Sequence, residues 1–234
     1  MEPISSAIRY PTERDDWYIA VAIGGVLTVL AFLIIPLILV YGYLVRLMRE
    51  RLAGGTEPPA FGDWGDLFVD GIQAWVIGLV YLLIPILIVV ATIGGTVLSV
   101  MLGGESVGIG TILGMLGGLF VAGILALVFW YAAAAGIVNF ARTGSLTAAF
   151  SMADIKPVLL HRRYAVAWLL ALVIIVTAGI IAAMLSAIPV IGAIVGAFLS
   201  FYAQMVAALL WADGFADSRE PGVEPQDVPE ETPA

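Results

Sequence analysis

Three aspartates have the spacing of a possible binding site. Asp63, Asp66 and Asp70 follow one another at helical intervals, so on a helix they would share one face. Carboxylate oxygens are the ligands that hard cations such as Ca²⁺ prefer, which makes this face a candidate cation site. Apolar residues beginning with Trp64 would occupy the opposite face, and several arginines precede the segment. We therefore interpret the aspartates as the solvated face of an amphipathic helix, partly neutralised by those arginines.

Asn139 and Gln204 are the most notable polar residues within long apolar stretches. Ionisable residues inside a membrane normally mark ion or proton pathways, and these stretches carry essentially none at mid-depth. A proton-coupled transporter usually needs a buried carboxylate or histidine there. We interpret both amides as partners in interhelical hydrogen bonds, each worth about 1 kcal/mol.

The only histidine, His161, lies in a basic cluster with Arg162 and Arg163. The chain has no cysteine, so a zinc site built from cysteine and histidine is excluded, and a Ser-His-Asp triad would have to use His161. We expect the cluster to contact anionic lipid headgroups, each arginine contributing about 1 kcal/mol. We predict no enzymatic activity, no catalytic or metal-binding residue and no cofactor.

The composition is that of a membrane protein. Hydrophobic residues make up 62% of the 234 residues and charged residues 12%, and the mean hydropathy is +1.06. A soluble domain has about 45–50% apolar residues and could not cover such an excess with polar surface. The net charge of −8 argues against a nucleic-acid partner, which would require a basic surface. Acidic excess with arginine favoured over lysine also fits a high-salt cytoplasm. Residues 1–16 carry no signal-peptide pattern, so we expect the first apolar segment to be an uncleaved anchor.

Four apolar stretches organise the chain, at residues 17–47, 72–102, 109–140 and 164–212. A helix that crosses a bilayer needs about 20 residues. The second and third stretches give one span each. The fourth is long enough for two, with a break at Pro189, because proline cannot donate the helical hydrogen bond.

The first stretch is too long for one upright helix and barely long enough for two. Arginines precede it and follow it, and the positive-inside rule places both groups in the cytoplasm. A hairpin turning near Pro36 satisfies this; one long tilted or kinked helix is the alternative for residues 17–51. With the hairpin, every lysine and arginine falls on the inside, and Glu105 is the only charge outside.

The sequence thus predicts an all-α integral membrane protein of the cell membrane, with both termini cytoplasmic and six transmembrane helices arranged as three hairpins. Cytoplasmic amphipathic helices lying in the interface, over residues 63–72 and 145–160, would join the hairpins. Residues 1–16 would form an N-terminal interfacial segment, 17–215 the transmembrane domain and 216–234 a disordered acidic tail. The residues expected at the cytoplasmic interface are Arg46, Asp63, Trp64, Asp66, Asp70, His161, Arg162 and Arg163.

Small residues recur every four positions in two of the predicted spans, a pattern that allows close helix packing. The members of these stripes are Gly110, Gly114 and Gly118 in one span and Gly192, Gly196 and Ser200 in the other. We expect the two stripes to pack against each other.

A distinctive pattern around the first connector resembles a family of multi-pass proteins that contain a domain of unknown function. The pattern consists of Gly42-Tyr43-Leu44-Val45-Arg46, Pro58-Pro59-Ala60-Phe61-Gly62-Asp63-Trp64 and Leu67-Phe68-Val69-Asp70-Gly71. The family is common in salt-loving archaea and occurs in some bacteria. The resemblance covers about residues 1–215 and implies a helical membrane domain, distantly akin to the membrane domains fused to some glycerophosphodiesterases. It implies no activity.

Two functions of different classes fit these features. The first is a non-enzymatic protein that organises the membrane or binds a partner at the cytoplasmic leaflet. Its partners would be membrane lipids, with a protein partner or a homo-oligomer left open. The second is a transporter of small solutes or lipids, with helices broken at Pro36, Pro85 and Pro189 to allow alternating access. A polar cavity that reaches Asn139 and Gln204 would favour the transporter, and a dry, closely packed bundle would favour the first function.

Overall fold

The computed structural model describes residues 2–101 and 108–219, and every regular element in these residues is a helix. The α-helices of this part of the chain are α1 (Glu2–Arg9), α2 (Trp17–Val29), α3 (Ile35–Leu52), α4 (Trp64–Met101), α5 (Ile109–Thr143), α6 (Met152–Leu159), α7 (Arg162–Leu185) and α8 (Ile191–Asp217). Short 3-10 helices occupy Tyr10–Thr12, Ala31–Leu33 and Leu146–Phe150. The predicted tail beyond residue 219 and the turn containing Glu105 lie outside the described residues.

Among the described helices, α4, α5, α7 and α8 are long and apolar enough to cross a bilayer. These helices identify the chain as a membrane protein, as its composition predicts. Helix α2 is apolar but has 13 residues, a length of about 20 Å at 1.5 Å per residue. Helix α3 has 18 residues and carries charged side chains in its last two turns, beginning at Arg46.

Proline and its neighbours set the turns at one end of the bundle. Residues 17–51 form two helices rather than one, and α3 begins at Ile35, directly before Pro36. Between α7 and α8, Val190 has a φ of +66°, and the Ile191 N–H donates to the Pro189 carbonyl over 2.7 Å. This arrangement is a classic γ-turn, a strained conformation for a β-branched residue. The sequence therefore located both breaks correctly.

Pro85, in contrast, does not break a helix, because α4 continues through it. A proline in a helix removes one hydrogen bond, and long membrane helices tolerate that loss where neighbouring groups compensate. The separate interfacial helix expected over residues 63–72 is also absent. Residues 64–72 form the beginning of α4, because no proline between Trp64 and Pro85 interrupts the helical hydrogen bonds.

One end of the bundle carries most of the charged side chains, and we call it the charged end. It is formed by the C-terminal ends of α3, α5 and α8 and the N-terminal ends of α4 and α7, joined by the contacts of Arg49, Arg51 and Arg163. Helix α7 packs most extensively against α8, and α4 packs against both α3 and α5.

The hydrophobic core lies toward the charged end. Tyr43, Leu47, Phe140, Tyr164 and Phe215 are fully buried there. Most large apolar side chains of α4 and α5 near the opposite end are exposed, including Leu98 and Leu113. In a bilayer these exposed side chains are solvated by lipid, so they need no protein cover.

Candidate functional site

Two glycines bring α3 and α4 into backbone contact at the charged end. A Cβ atom added at Gly42 would overlap the Leu67 carbonyl oxygen, and one added at Gly71 would overlap the Ile38 carbonyl oxygen. Close approach of two helix backbones requires residues without side chains. This explains the glycines in the GYLVR and LFVDG segments.

The connector between α3 and α4 is fixed to α3 by the other residues of the same pattern. The ring of Phe61 stacks on that of Tyr43, with centroids 4.0 Å apart. The Tyr43 hydroxyl donates to the Pro59 carbonyl over 3.2 Å, and Arg46 donates to the Gly62 carbonyl over 2.9 Å. The distinctive sequence pattern thus encodes one packed unit of α3, connector and α4.

The three predicted aspartates do not converge on one point. Asp70 forms a bidentate ion pair with Arg49, with N–O distances of 2.9 and 3.1 Å. Asp63 lies 4.0 Å from Arg46 and its side chain is 80% exposed, and Asp66 is also exposed. Within residues 2–101 and 108–219, no group of three or more acidic or histidine side chains is placed to hold a metal ion.

Arg51 ties three segments together. Its guanidinium donates to both oxygens of Asp213 on α8, over 2.8 and 3.1 Å, and to the Ser6 hydroxyl on α1 over 2.8 Å. It also lies over the ring of Tyr10, 5.0 Å from the centroid. Burial is the main cause that raises the pKa of Tyr10 to about 12. The Tyr10 hydroxyl in turn donates to the Glu57 carbonyl over 2.8 Å.

Asn139 is fully buried, but it bonds a connector rather than another long helix. Its Nδ2 donates to the Ala148 carbonyl over 2.8 Å, and its Oδ1 accepts from Arg142 over 2.9 Å. The Tyr81 hydroxyl donates to the neighbouring Ala149 carbonyl over 2.8 Å. The two side chains fold the 3-10 helix of residues 146–150 onto α4 and α5. The connector predicted over residues 145–160 is therefore two short helices packed on the bundle.

The basic cluster lies at the N-terminus of α7, beside the C-terminal end of α8. The Nδ1 atom of His161 accepts from the Arg163 backbone N–H over 3.2 Å and so caps the helix. Arg162 and Arg163 are exposed, and the Arg163 side chain donates to the Asp217 carbonyl over 3.4 Å. A cavity of 550 Å³ opens between the cluster and an apolar groove of α7 and α8.

Apolar side chains are also exposed at the charged end. Trp64 is 47% exposed and Leu160 is 78% exposed. They lie on the same end as the exposed Asp66, Arg162 and Arg163. An aromatic or aliphatic side chain among charged neighbours is typical of surfaces that meet a membrane interface or another molecule.

The small-residue stripes pack on other helices than expected. A Cβ atom added at Gly192 would overlap the Leu185 carbonyl oxygen, and one at Gly196 would contact Ala182, so both glycines face α7. Gly118 faces Thr92 of α4, while the positions above Gly110 and Gly114 are open. The prediction that the two stripes pack against each other was wrong. Each stripe instead contacts the helix that precedes its own helix in the chain, α4 for Gly118 and α7 for Gly192 and Gly196.

Gln204 lines a cavity of 430 Å³ between α3, α5, α7 and α8. Its Nε2 donates to the Ser200 carbonyl one turn earlier on α8, over 3.2 Å, so it makes an intrahelical bond. The residues that line this cavity include Tyr41, Trp130, Gly179, Ser200, Gln204 and Trp211. We call this space the aromatic cavity.

Three tryptophans meet beside the aromatic cavity, and two of them, Trp130 and Trp211, line it. Trp130 packs edge to face with Trp168, at 5.6 Å between centroids, and with Trp211, at 6.3 Å. The indole N–H groups of Trp168 and Trp211 are buried and have no hydrogen-bond partner within the described residues. Buried indole N–H groups usually find an acceptor, so these two are exceptions among the buried polar groups of the described residues.

The structure therefore separates the predicted residues into groups. Arg46, Asp63, Trp64 and Asp70 belong to the α3–α4 unit, and the His161 cluster lies at the α7–α8 end. The pairing of Arg51 with Asp213 and the convergence of the tryptophans were missed. The residues of each contact are far apart in the chain, so no local sequence pattern pointed to them.

Comparisons with known proteins give one match. The sequence model of a family described as "Protein of unknown function (DUF4013)" matches residues 26–187, which include the whole α3–α4 unit. No curated protein and no solved structure matches the chain.

Proposed function

The chain belongs to the DUF4013 family of proteins of unknown function, and we propose that it is a non-enzymatic membrane protein that binds a partner at the cytoplasmic leaflet through its charged end. The partner contacts would come from membrane lipid headgroups or from a protein seated on the same surface.

The proposed topology places six membrane segments in three hairpins, with the charged end and both termini in the cytoplasm. The positive-inside rule supports this orientation, since Arg46, Arg49, Arg51, Arg162 and Arg163 all lie at the charged end. Helix α2, at about 20 Å, is shorter than the hydrocarbon core of about 30 Å. The α2–α3 hairpin would therefore enter from the cytoplasmic side and stop short of the opposite surface.

The observation that carries the proposal is the contrast between two sets of residues at the charged end. Arg49, Arg51, Asp70 and Asp213 are bound in bidentate pairs that hold the helix ends together. The side chains around them, including Leu160, remain exposed. A rigid frame with exposed aromatic, aliphatic and basic side chains can bind a surface without large ordering costs.

Photo-crosslinking in native membranes tests this proposal. A photoreactive amino acid at Leu160 or at Asp66 should give discrete adducts, and Arg162→Glu combined with Arg163→Glu should reduce them. The same label at Leu113, which is 63% exposed on α5, is the matched control and should give only diffuse acyl-chain adducts. Identical adduct patterns at all three positions would contradict a partner site at the charged end.

A lipid or solute transporter is the second candidate, and the aromatic cavity favours it because the cavity reaches Gln204. Asn139 does not line that cavity, since it is bonded to Ala148. Solute flux in proteoliposomes that falls in Gln204→Ala but not in Asn139→Ala would promote the transporter.

A further inference from the structure

We propose that the aromatic cavity binds an uncharged lipid whose apolar chain carries a carbonyl oxygen. This cavity is distinct from the proposed partner surface, and the proposal that it binds a lipid does not depend on that surface. The inference rests on the size of the cavity, the absence of charge on its walls and the Gln204 amide that lies on its wall.

The dimensions of the cavity suit one small ligand. Its volume of 430 Å³ lies within the range of about 300–1,000 Å³ found for small-molecule sites. Four helices contribute to it, and Gly179 on α7 leaves part of the wall without a side chain. A Cβ atom added at Gly179 would meet no other atom within 4 Å, so the space beside this glycine is open.

The chemistry of the walls excludes a charged headgroup. No lining residue is acidic or basic, and the wall is mainly aliphatic and aromatic. A charge buried there without a counter-charge would carry a large desolvation cost. The occupant is therefore uncharged over the part that enters the cavity.

The polar atoms of the site call for an acceptor. One side-chain amide, that of Gln204, lies on the cavity wall. Among residues 2–101 and 108–219, the only hydrogen bond of this amide is its 3.2 Å donation to the Ser200 carbonyl, which leaves its second N–H free to donate. A carbonyl oxygen has lone pairs and no proton, so it can accept from this N–H.

Two kinds of membrane lipid share this chemistry. A neutral diglyceride carries ester carbonyls on acyl chains, and an isoprenoid quinone carries ring carbonyls on a polyprenyl chain. Both are uncharged, and both reach a site within the bilayer by lateral diffusion. The same binding experiment, run with one probe of each kind, separates them.

Tryptophan fluorescence provides the readout, because Trp130 and Trp211 lie on the cavity wall. The purified full-length protein in detergent is titrated with a diglyceride carrying brominated acyl chains and, separately, with decylbenzoquinone. Bromine and quinone groups quench indole fluorescence on contact. A brominated alkane without oxygen serves as the third probe and tests the requirement for an acceptor.

Saturable quenching by at least one of the two carbonyl probes is expected. Gly179→Phe should fill the cavity and weaken this binding by about tenfold or more, since one well-packed group is worth more than 1.4 kcal/mol. Gly123→Phe on α5 is the matched control. A Cβ atom added at Gly123 also meets no atom within 4 Å, but Gly123 does not line the cavity. This variant should bind the probes with the affinity of the wild type. Gln204→Leu should weaken the carbonyl probes by about fivefold, the equivalent of one net hydrogen bond, and leave the alkane unaffected.

Binding of only one carbonyl probe would assign the occupant to that lipid class, and binding of both would assign the shared chemistry. The proposal would be overturned by the absence of saturable quenching by both carbonyl probes, or by equal affinity in the wild type and Gly179→Phe. Equal affinity of the alkane and the diglyceride would also overturn it, because the acceptor would then play no part. Crosslinking at the charged end gives an independent result, so failure there leaves this test intact.

Discussion

At the scale of single residues, Arg51 is the side chain with the most consequences for the fold. Its guanidinium joins α3 to α8 through Asp213 and to α1 through Ser6. The two side chains of the Arg51–Asp213 pair are 24% and 19% exposed, so the ion pair is shielded from much of the solvent. Such a pair is expensive to break from one side, because the remaining charge stays partly buried.

We expect Asp213→Asn and Arg51→Met each to lower the free energy of unfolding by about 2 kcal/mol, the range for hydrogen bonds to charged groups. The double variant should be less destabilised than the sum of the two single variants, because each single variant leaves an unpaired charge and the double variant leaves none. The measurement is the fraction of monodisperse protein that survives heating in detergent. Asp154→Asn is the control, because its pair with Arg219 spans 3.6 Å and is more exposed, and its effect should be much smaller. Additive effects of Arg51→Met and Asp213→Asn would contradict the coupling.

At the scale of helices, close packing of α3 on α4 depends on Gly71 and Gly42. Both glycines would place a Cβ atom on a backbone carbonyl of the facing helix, which cannot rotate away. Gly78, two turns later on α4, faces open space. We therefore expect the same substitution to have opposite effects on stability at Gly71 and at Gly78.

Gly71→Ala should destabilise the protein by about 2 kcal/mol or more, because overpacking against backbone forces the helices apart. Gly78→Ala should stabilise it by up to about 1 kcal/mol through the higher helix propensity of alanine. Thermal unfolding of both variants in the same detergent checks the pair. Equal changes of the same sign would show that α3 and α4 do not approach at Gly71.

Helix type and most helix boundaries could be predicted from the sequence, but helix partners could not. Long apolar stretches and the prolines at positions 36 and 189 are local signals, and the structure has helices and breaks at those places. A stripe such as Gly192 and Gly196 shows that a face is closely packed but does not say by which helix. The role of Asn139 was unpredictable for the same reason, because its partner Ala148 belongs to a connector whose folding depends on tertiary contacts.

At the scale of the whole molecule, packing and charge are concentrated at the same end. The core, the ion pairs and the two packed connectors lie at the charged end, while the far halves of α4 and α5 expose apolar side chains. Lipid serves as solvent for those far halves, whereas the charged end must satisfy its polar groups within the protein. This asymmetry is the physical basis for expecting the charged end to lie in water, and the positive-inside rule is the reason for expecting that side to be the cytoplasm.

Single cysteines can test that orientation without background, because the chain has no native cysteine. Positions exposed at the charged end should resist a membrane-impermeant thiol reagent in intact cells and react after permeabilisation. Suitable exposed positions are Glu13, Thr56, Lys156 and Ala216. Reaction at Glu13→Cys but not at Ala216→Cys in intact cells would place the termini on opposite sides and contradict an even number of crossings.

The last prediction concerns the depth of the α2–α3 hairpin. Ser106→Cys, which lies between α4 and α5 in the chain and outside the described residues, should react in intact cells and serves as the positive control. Leu33→Cys, at the tip of the hairpin, is 54% exposed in the protein but should remain unreactive even after permeabilisation. The reason is length: α2 reaches about 20 Å, so its tip ends inside a hydrocarbon core of about 30 Å, where thiols stay protonated and the reagent does not enter. Reaction of Leu33→Cys in intact cells would show instead that α2 and α3 cross the membrane fully.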